Sequence, residues 1–240
     1  MPSFEVLLVI GVVGFYLFDS AMLLYANEFI LIETNRRWDF AYPGSGWQIM
    51  KKSLYLPNPL RPDSAAFRVF WLSNERNEQQ DDEQALSQFT QAYRSLRYML
   101  MSLFVLLLVM IPLVLFWFGS GAELLLVFAL IYVNIIIMLV QIFRSREALE
   151  VPRRFFLSLA FEALACAPFA LNLLRKISLH RSLSGDPLRF AARVFEKDTY
   201  HQLIDAVCNK VDEQLEIEDT QRESYSELQT YRDQLAGMKQ

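Results

Sequence analysis

The stretch from Tyr98 to Phe143 constrains this chain more than any other part of its sequence, because it is almost entirely apolar. Glu123 is its only charged residue. A run of about 18 or more apolar residues is typical of a transmembrane helix, and this stretch is long enough for two. The Gly-Ser-Gly sequence at residues 119–121 divides it. We therefore expect a hydrophobic helical hairpin with a tight turn at these glycines, and a tolerated kink at Pro112.

A third membrane helix is predicted near the N-terminus, from about Phe4 to Ala26. The segment has no basic residue before its apolar run and no small-residue cleavage site after it, so we interpret it as a retained helix rather than a signal peptide. Gly11 and Gly14 would allow another helix to approach closely. Asp19 interrupts the apolar run and needs an explanation.

Residues 29–73 change character, with short runs rich in aromatic and β-branched residues. These runs are separated by Pro-Gly-Ser-Gly at 43–46 and Pro-Asn-Pro at 57–59. Turn-forming residues between short runs of this kind are typical of β-hairpins. We predict a small antiparallel unit of three or four strands near the membrane surface. A polar loop at 73–82 then leads into a helix that continues into the hairpin.

The segment at 155–174 is apolar but barely long enough to cross a bilayer. It contains Glu162, Pro168 and Asn172, and a charged residue at the bilayer centre costs about 2.5–3.5 kcal/mol. Two interpretations remain, a fourth spanning helix or a re-entrant or interfacial helical hairpin bent at Pro168. Arg175 and Lys176 follow the segment, and crossing would carry them out of the cytosol. The second interpretation is therefore favoured.

The positive-inside rule orients the rest of the chain. Arg94 and Arg97 precede the hydrophobic hairpin, and Arg144 and Arg146 follow it. Both outer ends of the hairpin are therefore predicted in the cytosol, which makes residues 29–97 cytosolic and the N-terminus exoplasmic. The C-terminus is also predicted in the cytosol.

Two features mark the tail. Asp186 and Pro187 resemble a helix start, and the helix that follows has one apolar face beside basic residues, which predicts an amphipathic helix at the membrane surface. Residues 198–240 then hold ten acidic and four basic side chains, with apolar residues at helical spacing. This acidic part favours a solvated helix, or a short coiled coil with a partner.

The predicted fold class is a mainly α membrane protein with three transmembrane helices, a re-entrant or fourth helical segment, a small cytosolic β-unit between helices 1 and 2, and a cytosolic C-terminal helix. Its regions are helix 1 at 1–28, the β-unit and linker helix at 29–97, the transmembrane hairpin at 98–143, the re-entrant or fourth segment at 144–183, and the amphipathic and acidic tail at 184–240.

No catalytic or cofactor motif accompanies this architecture. His180 and His201 have no partner at a recognised metal-ligand spacing, and there is no Walker-type loop and no nucleophile elbow. Cys166 and Cys208 are interpreted as unpaired thiols. The net charge of −4 gives no basic field for nucleic acid. We predict no catalytic residue, no metal and no cofactor.

Polar residues inside the apolar segments are the candidates for function: Asp19, Asn134 and Glu162. They would either line a substrate or proton path or act as acid or base, or else hydrogen-bond between helices. The structural interpretation is favoured for Asn134. Both stay open for Asp19 and for Glu162, which would pair with Arg153, Arg154 or Arg175.

Basic residues offer a second candidate site. Arg153, Arg154, Arg175 and Lys176 bracket the fourth segment, and Arg36, Arg37, Lys51 and Lys52 lie on the β-unit. Anchoring to anionic lipid accounts for such residues. The first four would alternatively bind a lipid head group or phosphate through arginine forks.

The leading hypothesis is a non-catalytic multi-pass subunit that anchors or scaffolds a membrane-associated assembly in the inner (plasma) membrane of a bacterial-type cell. Its partners would be membrane lipids, and proteins that dock on residues 29–97 and 198–240. One alternative is an interfacial enzyme that acts on a lipid or lipid-linked phosphate, with Glu162 or Asp19 as acid or base. A second is a component of an oligomeric transporter or channel.

Overall fold

A computed structural model describes residues 4–25, 27–34, 37–42, 48–49, 52–70, 83–118, 121–181, 187–217 and 223–238. Within these ranges the chain is mostly helical and contains a small β-unit. It divides into two compact units. Unit 1 comprises Met1–Met22, Tyr55–Ala66 and Asp81–Arg181, and unit 2 comprises Leu23–Leu54, Phe67–Gln80 and Ser182–Gln240. Several predicted features lie outside the described residues: the turn at 43–46, residues 119–120 of the hairpin turn, the loop at 73–82, the Asp186 cap, Arg36 and Lys51.

The elements follow in chain order. They are α1 (Phe4–Ser20), β1 (Met22–Leu24), β2 (Glu28–Thr34), β3 (Arg37–Ala41), β4 (Gln48–Ile49), β5 (Lys52–Tyr55), β6 (Ala65–Phe70), α2 (Glu83–Val105), α3 (Ile111–Leu113), α4 (Gly121–Arg144), α5 (Arg153–Ala165), α6 (Leu173–His180), α7 (Pro187–Val194), α8 (Lys197–Ile217) and α9 (Glu223–Met238).

Two helices of unit 1 are long and apolar enough to cross a membrane, as the Tyr98–Phe143 stretch predicts. One runs over Gln88–Trp117 and the other is α4. Only 28% and 33% of their most apolar windows are buried. A core helix of a soluble protein is mostly buried, so these helices instead present most of their apolar surface outward.

Pro112 changes the winding of the first of these helices without ending it. Pro112 has no N–H to donate to the carbonyl of Leu108, so the regular hydrogen-bond ladder is interrupted there. Wider π-helical turns at Leu106–Met110 and Val114–Phe118 flank the short α3 segment that holds the proline. The helix continues through this region, in agreement with the predicted proline distortion that a membrane helix tolerates.

The first apolar segment forms a shorter helix than predicted. Helix α1 ends at Ser20, and Met22–Leu24 is a strand. Hydrophobicity extends past the helix end because the strand itself consists of apolar residues, Met-Leu-Leu. A Cβ atom added at Gly11 or Gly14 would meet nothing within 4 Å. No other described part of the chain therefore uses the close approach that these glycines would allow.

The fourth segment is folded back on itself. Helix α5 ends at Ala165, Cys166 has an extended backbone (φ −140°, ψ 97°), and a 3₁₀ turn over Ala167–Asn172 leads into α6. The Phe155 and His180 rings stack with centroids 4.0 Å apart. The start of α5 therefore lies beside the end of α6. The bend falls at Cys166, two residues before the predicted Pro168.

The β-unit has more strands than predicted, because six short strands form two three-stranded sheets among the described residues. The strand orders are β1-β5-β4 and β3-β2-β6. Strands β2 and β3 are antiparallel, with Ile30 opposite Ala41 and Thr34 opposite Arg37. Strands β4 and β5 are also antiparallel. The Pro-Asn-Pro sequence at 57–59 lies between β5 and β6 rather than inside a hairpin.

The tail belongs to unit 2 and corrects two predictions. The apolar face of α7 is buried, with Leu188 1% and Ala191 0% exposed, and the Phe190 ring contacts Trp38 of β3 edge-on at 5.2 Å. This face therefore packs on protein, where membrane contact was predicted. Helices α8 and α9 pack together and bury the apolar residues predicted for a partner's coiled coil: Ile204, Val207, Val211, Leu228 and Leu235.

Candidate functional site

Lys176 forms the centre of an ionic cluster inside unit 1. Its Nζ lies 2.7 Å from Asp19 Oδ1 and 2.7 Å from Glu162 Oε2, so one ammonium group bridges two carboxylates. Three elements meet here, because Asp19 belongs to α1, Glu162 to α5 and Lys176 to α6. Two of the three polar residues singled out in the sequence are thus brought to one place.

The Lys176–Glu162 contact requires the fold of the α5–α6 segment. These residues are 14 apart in sequence. A straight helix would place them about 21 Å apart at 1.5 Å per residue. Their contact is therefore possible only because the chain reverses direction at Cys166. The predicted partners of Glu162 were arginines, and the structure replaces them with Lys176.

Asn172 extends the cluster deeper into unit 1. Its Nδ2 donates to Asp19 Oδ2 at 2.9 Å, and its Oδ1 accepts from Arg175 NH1 at 2.7 Å. Ser20 Oγ lies 2.7 Å from the carbonyl of Tyr16 and 3.1 Å from Asn172 Oδ1. Asn172 is 1% exposed. A buried amide needs such partners, since leaving one unsatisfied costs about 1–3 kcal/mol.

Arg175 is almost completely buried, at 2% exposed. Besides Asn172 it lies 3.4 Å from the carbonyl of Arg61, and Tyr16 Oη donates to the nearby carbonyl of Pro59 at 2.8 Å. Burial lowers the pKa of the Arg175 guanidinium, yet arginine stays protonated in proteins. Arg175 therefore ties α6 to the connection between β5 and β6.

Local sequence explains the positions of these groups. Tyr16, Asp19 and Ser20 are three and four residues apart on α1, so they share one helix face. On the other side, the 3₁₀ turn places Asn172 at the start of α6, and Arg175 and Lys176 follow in its first turn. Sequence reasoning missed Tyr16, Ser20 and Asn172 as members of the cluster. The helical spacing from Asp19 was the available signal for the first two.

The cluster is partly open to the surroundings on the side of α5. The exposed fractions of the side chains are 13% for Asp19, 22% for Lys176 and 39% for Glu162. Glu162 Oε1 also lies 3.3 Å from Ser158 Oγ. Both carboxylates thus already accept from the same ammonium group. The arrangement suits a brace between helices, because no carboxylate here lacks a hydrogen-bond donor.

Asn134 lies apart from this cluster, in the middle of α4. Its Nδ2 donates to Ser102 Oγ of α2 at 3.1 Å, and Gln141 Nε2 donates to Ser95 Oγ at 3.3 Å. Both hydrogen bonds join the two long apolar helices. The geometry supports the structural interpretation of Asn134, in which a polar side chain links two helices.

The four basic residues predicted to bind phosphate do not form one site. Arg175 and Lys176 are engaged in the interior cluster. Arg153 and Arg154 are exposed in the first turn of α5, with no ion pair to any described residue. Phosphate binding by all four together is therefore not supported by their positions, while Arg153 and Arg154 keep their guanidinium groups available.

Metal ligation finds no support in the part of the chain that the structure describes, where no three His, Cys, Asp or Glu side chains form a group that could hold an ion. His180 stacks on Phe155, and His201 lies near Tyr200 in α8. Comparisons of the chain with protein-family models, with curated proteins and with solved structures found no match.

Proposed function

We propose that this chain is a non-catalytic membrane subunit that anchors a membrane-associated protein assembly. Unit 1 would be the anchor and unit 2 the part that docks partner proteins. The proposal is supported most directly by the outward apolar surface of unit 1, because water strongly disfavours so much exposed hydrocarbon and lipid does not.

That surface is carried by several helices. On α4, Leu125 is 71% and Leu126 62% exposed, and Trp117 at the end of the preceding helix is 82% exposed. Phe18 on α1 and Phe161 on α5 are 78% and 75% exposed. The charged residues of the Lys176 cluster are meanwhile paired with one another, and Asp19 and Lys176 are mostly buried. Apolar side chains outside and paired charges inside are what a hydrocarbon solvent favours.

In the proposed topology α1, the helix through Pro112 and α4 span the membrane, and the α5–α6 hairpin is re-entrant or interfacial. The N-terminus would be exoplasmic, and unit 2 and the C-terminus cytosolic in the inner membrane of a bacterial-type cell. Support comes from Arg94, Arg97, Arg144 and Arg146 at the outer ends of the two long helices. Helix α1, with 17 residues or about 25 Å, is short for a span of about 30 Å.

Unit 2 supports the docking role through its exposed charge. The apolar faces of α7, α8 and α9 are covered within the chain, so their outer faces are left for partners. Glu213 and Glu216 lie exposed on α8. A protein partner would therefore meet a mainly acidic surface, which favours a basic patch on that partner.

The enzyme and transporter alternatives have less support. An enzyme acting on a lipid-linked phosphate needs an available acid or base beside an anion site. Asp19 and Glu162 instead share Lys176, and Arg175 is buried beside Asn172. A transport path needs a continuous polar seam, whereas the polar contacts described between the two long helices are two separate hydrogen bonds, Asn134 to Ser102 and Gln141 to Ser95.

Membrane placement is tested first. Cells that express the full chain are broken and their membranes washed with alkaline carbonate, and a reporter that is active only in the cytosol is fused to the C-terminus. We expect the chain to stay in the membrane pellet and the reporter to be active. Recovery in the carbonate supernatant would overturn the anchor, and an inactive C-terminal reporter would overturn the topology.

The scaffold role is tested by comparing variants in unit 2, the proposed docking part, with a variant in the ionic cluster of unit 1. A strain that lacks the chain is complemented with the double variant Glu213→Lys and Glu216→Lys, or with Glu162→Gln. We expect the charge reversal on α8 to abolish complementation and co-purification of the wild-type partners, and Glu162→Gln to preserve both. The opposite pattern, with full function after the charge reversal and none after Glu162→Gln, would favour the enzyme.

A further inference from the structure

Besides the Lys176 cluster, unit 1 has an apolar groove between α4 and α5. It has a volume of about 280 Å³ and is lined by Ile136, Leu139, Val140, Phe143, Phe156 and Leu164. Every lining side chain is apolar. The groove opens on the outward surface of unit 1, where Val140 is 52% and Phe143 50% exposed.

One end of this groove is defined by two phenylalanines. The rings of Phe143, in the last turn of α4, and Phe156, in the first turn of α5, contact each other with centroids 5.3 Å apart. From this pair the lining extends back to Ile136 on α4 and forward to Leu164 on α5. Each of these intervals is about 10–12 Å at 1.5 Å per residue. A groove of this length fits within one leaflet of a hydrocarbon core about 30 Å thick.

Four arginines lie in the turns of the chain next to the same end. The guanidinium of Arg146 lies 5.6 Å from the centroid of the Phe143 ring. On α5, Arg153 precedes Phe156 by three residues and Leu164 by eleven, so all three lie on one helix face. Arg144 and Arg154 are exposed in the adjacent turns. Of the two carboxylates in the connection between α4 and α5, Glu150 is engaged by Arg181. Glu147 pairs with Arg146 at 3.4 Å, but its side chain is 90% exposed, so water screens this pair.

We infer that the groove between α4 and α5 binds one acyl chain of an anionic phospholipid, whose phosphate is held by Arg146 and Arg153. This inference rests on the proposed membrane placement of unit 1. The charge pattern decides between occupants, because an apolar helix of a partner or of a second copy would fill the groove but offer no anion to the exposed Arg144, Arg153 and Arg154. A zwitterionic lipid would also bind less tightly, because its head group has no net negative charge to attract these arginines.

The site also accounts for the predicted phosphate-binding residues. Arg153 and Arg154 were grouped with Arg175 and Lys176 because the four bracket the fourth segment, and in the structure the first two are exposed whereas Arg175 and Lys176 belong to the interior cluster. The inner pair holds the helices of unit 1 together. The outer pair lies in the first turn of α5. The Phe143–Phe156 contact places that turn beside the end of α4, which is followed by Arg144 and Arg146.

The experiment measures lipid retention by the full chain purified in mild detergent, using native mass spectrometry. Dioleoyl phosphatidylglycerol is the anionic probe, dioleoyl phosphatidylcholine the zwitterionic one, and inorganic phosphate the soluble competitor. We expect one tightly held phosphatidylglycerol, weaker retention of phosphatidylcholine, and no displacement by millimolar phosphate. Equal retention of the two lipids, or displacement by phosphate, would overturn the inference.

Variants localise the binding. Arg146→Gln together with Arg153→Gln should weaken phosphatidylglycerol about 30-fold, from roughly fivefold per arginine near an anionic head group. The matched control is Arg94→Gln, which removes an exposed arginine near the outer end of the first long helix and should leave affinity unchanged. An equal loss in the control would show that general surface charge holds the lipid, which contradicts a defined site.

A groove variant tests the acyl chain separately. Val140→Trp fills the groove and leaves the arginines intact, and each methylene expelled should weaken binding about fourfold. Leu130→Trp, on an outward part of α4 away from the groove, is the control. If Val140→Trp leaves lipid affinity unchanged but converts a dimer to a monomer, a second copy occupies the groove and the inference fails. If the inference fails in this way but the chain still stays in the membrane pellet after the carbonate wash, the proposed membrane anchoring is not contradicted.

Discussion

Replacing Lys176 with methionine should destabilise unit 1 more than any change to a surface lysine. Methionine keeps most of the length of the side chain but removes the ammonium that lies 2.7 Å from both Asp19 and Glu162. Removing one partner of a buried ion pair costs about 3–5 kcal/mol, because the other charge is left buried and uncompensated.

The exposed fractions set the expected value within that range. The side chain of Asp19 is 13% exposed and keeps the donor Asn172 Nδ2 at 2.9 Å after the substitution. Loss of the Asp19–Lys176 ion pair should therefore cost about 3 kcal/mol, at the lower end of the range for buried ion pairs. Glu162 is 39% exposed, so water screens it and its share is about 0–1 kcal/mol. We therefore expect Lys176→Met to lower the free energy of unfolding by about 3–4 kcal/mol.

The assay is unfolding of the purified chain in mixed detergent micelles, followed by circular dichroism as the denaturing detergent increases. Lys210→Met is the matched control, since Lys210 pairs with Glu213 at 2.6 Å on the exposed side of α8 and should contribute about 0.5 kcal/mol or less. The double variant Asp19→Asn with Lys176→Met should recover most of the loss. Equal stability of Lys176→Met and Lys210→Met would refute the reasoning.

Three further changes test other parts of the structure. Tyr42 has a buried hydroxyl without a partner among the described residues, and burial raises its pKa above the ordinary 10.0. Stability of unit 2 should therefore be complete below pH 10 and fall above it, and Tyr42→Phe should abolish that fall in alkaline thermal unfolding. A double-mutant cycle of Asn134→Ala and Ser102→Ala should give a coupling of about 0.6 kcal/mol, and a value near zero would remove this link between α2 and α4. Leu235→Ala, at a fully buried site on α9, should cost about 2–5 kcal/mol in chemical denaturation, whereas a loss below 1 kcal/mol would contradict the packing of α8 on α9.

Local patterns predicted the elements better than they predicted their partners. The length and apolarity of the Tyr98–Phe143 stretch were sufficient for two long helices, since no other regular structure accommodates so many consecutive apolar residues. Helix α1 was predicted too long because Met22–Leu24 is as apolar as the helix before it. The bend of the fourth segment was expected at Pro168 and lies at Cys166. Pro168 has no N–H to donate to the carbonyl of Leu164, and its ring would clash with that carbonyl, so the α-helix ends before the proline is reached.

Long-range pairing is the part that single-sequence reasoning could not supply. Asp19 and Asn172 are 153 residues apart, and nothing in either neighbourhood identifies the other as a partner. The same holds for α7, whose apolar face was correctly expected but assigned to the membrane. Strand β3 and Trp38 cover it instead. Periodicity shows which face of a helix is buried, and only the tertiary structure shows what buries it.

The joining of Asp19 to the α5–α6 hairpin has a consequence for how the chain is made. Helix α1 leaves the ribosome before α6 does. The native partners of Asp19 therefore do not exist until residues 172–176 have been synthesised. Throughout translation of the intervening residues, that carboxylate must be hydrated, neutralised by a proton, or held by another factor. Completion of unit 1 is therefore a late event in biogenesis, and a nascent chain halted before residue 172 should leave the end of α1 accessible to water-soluble probes.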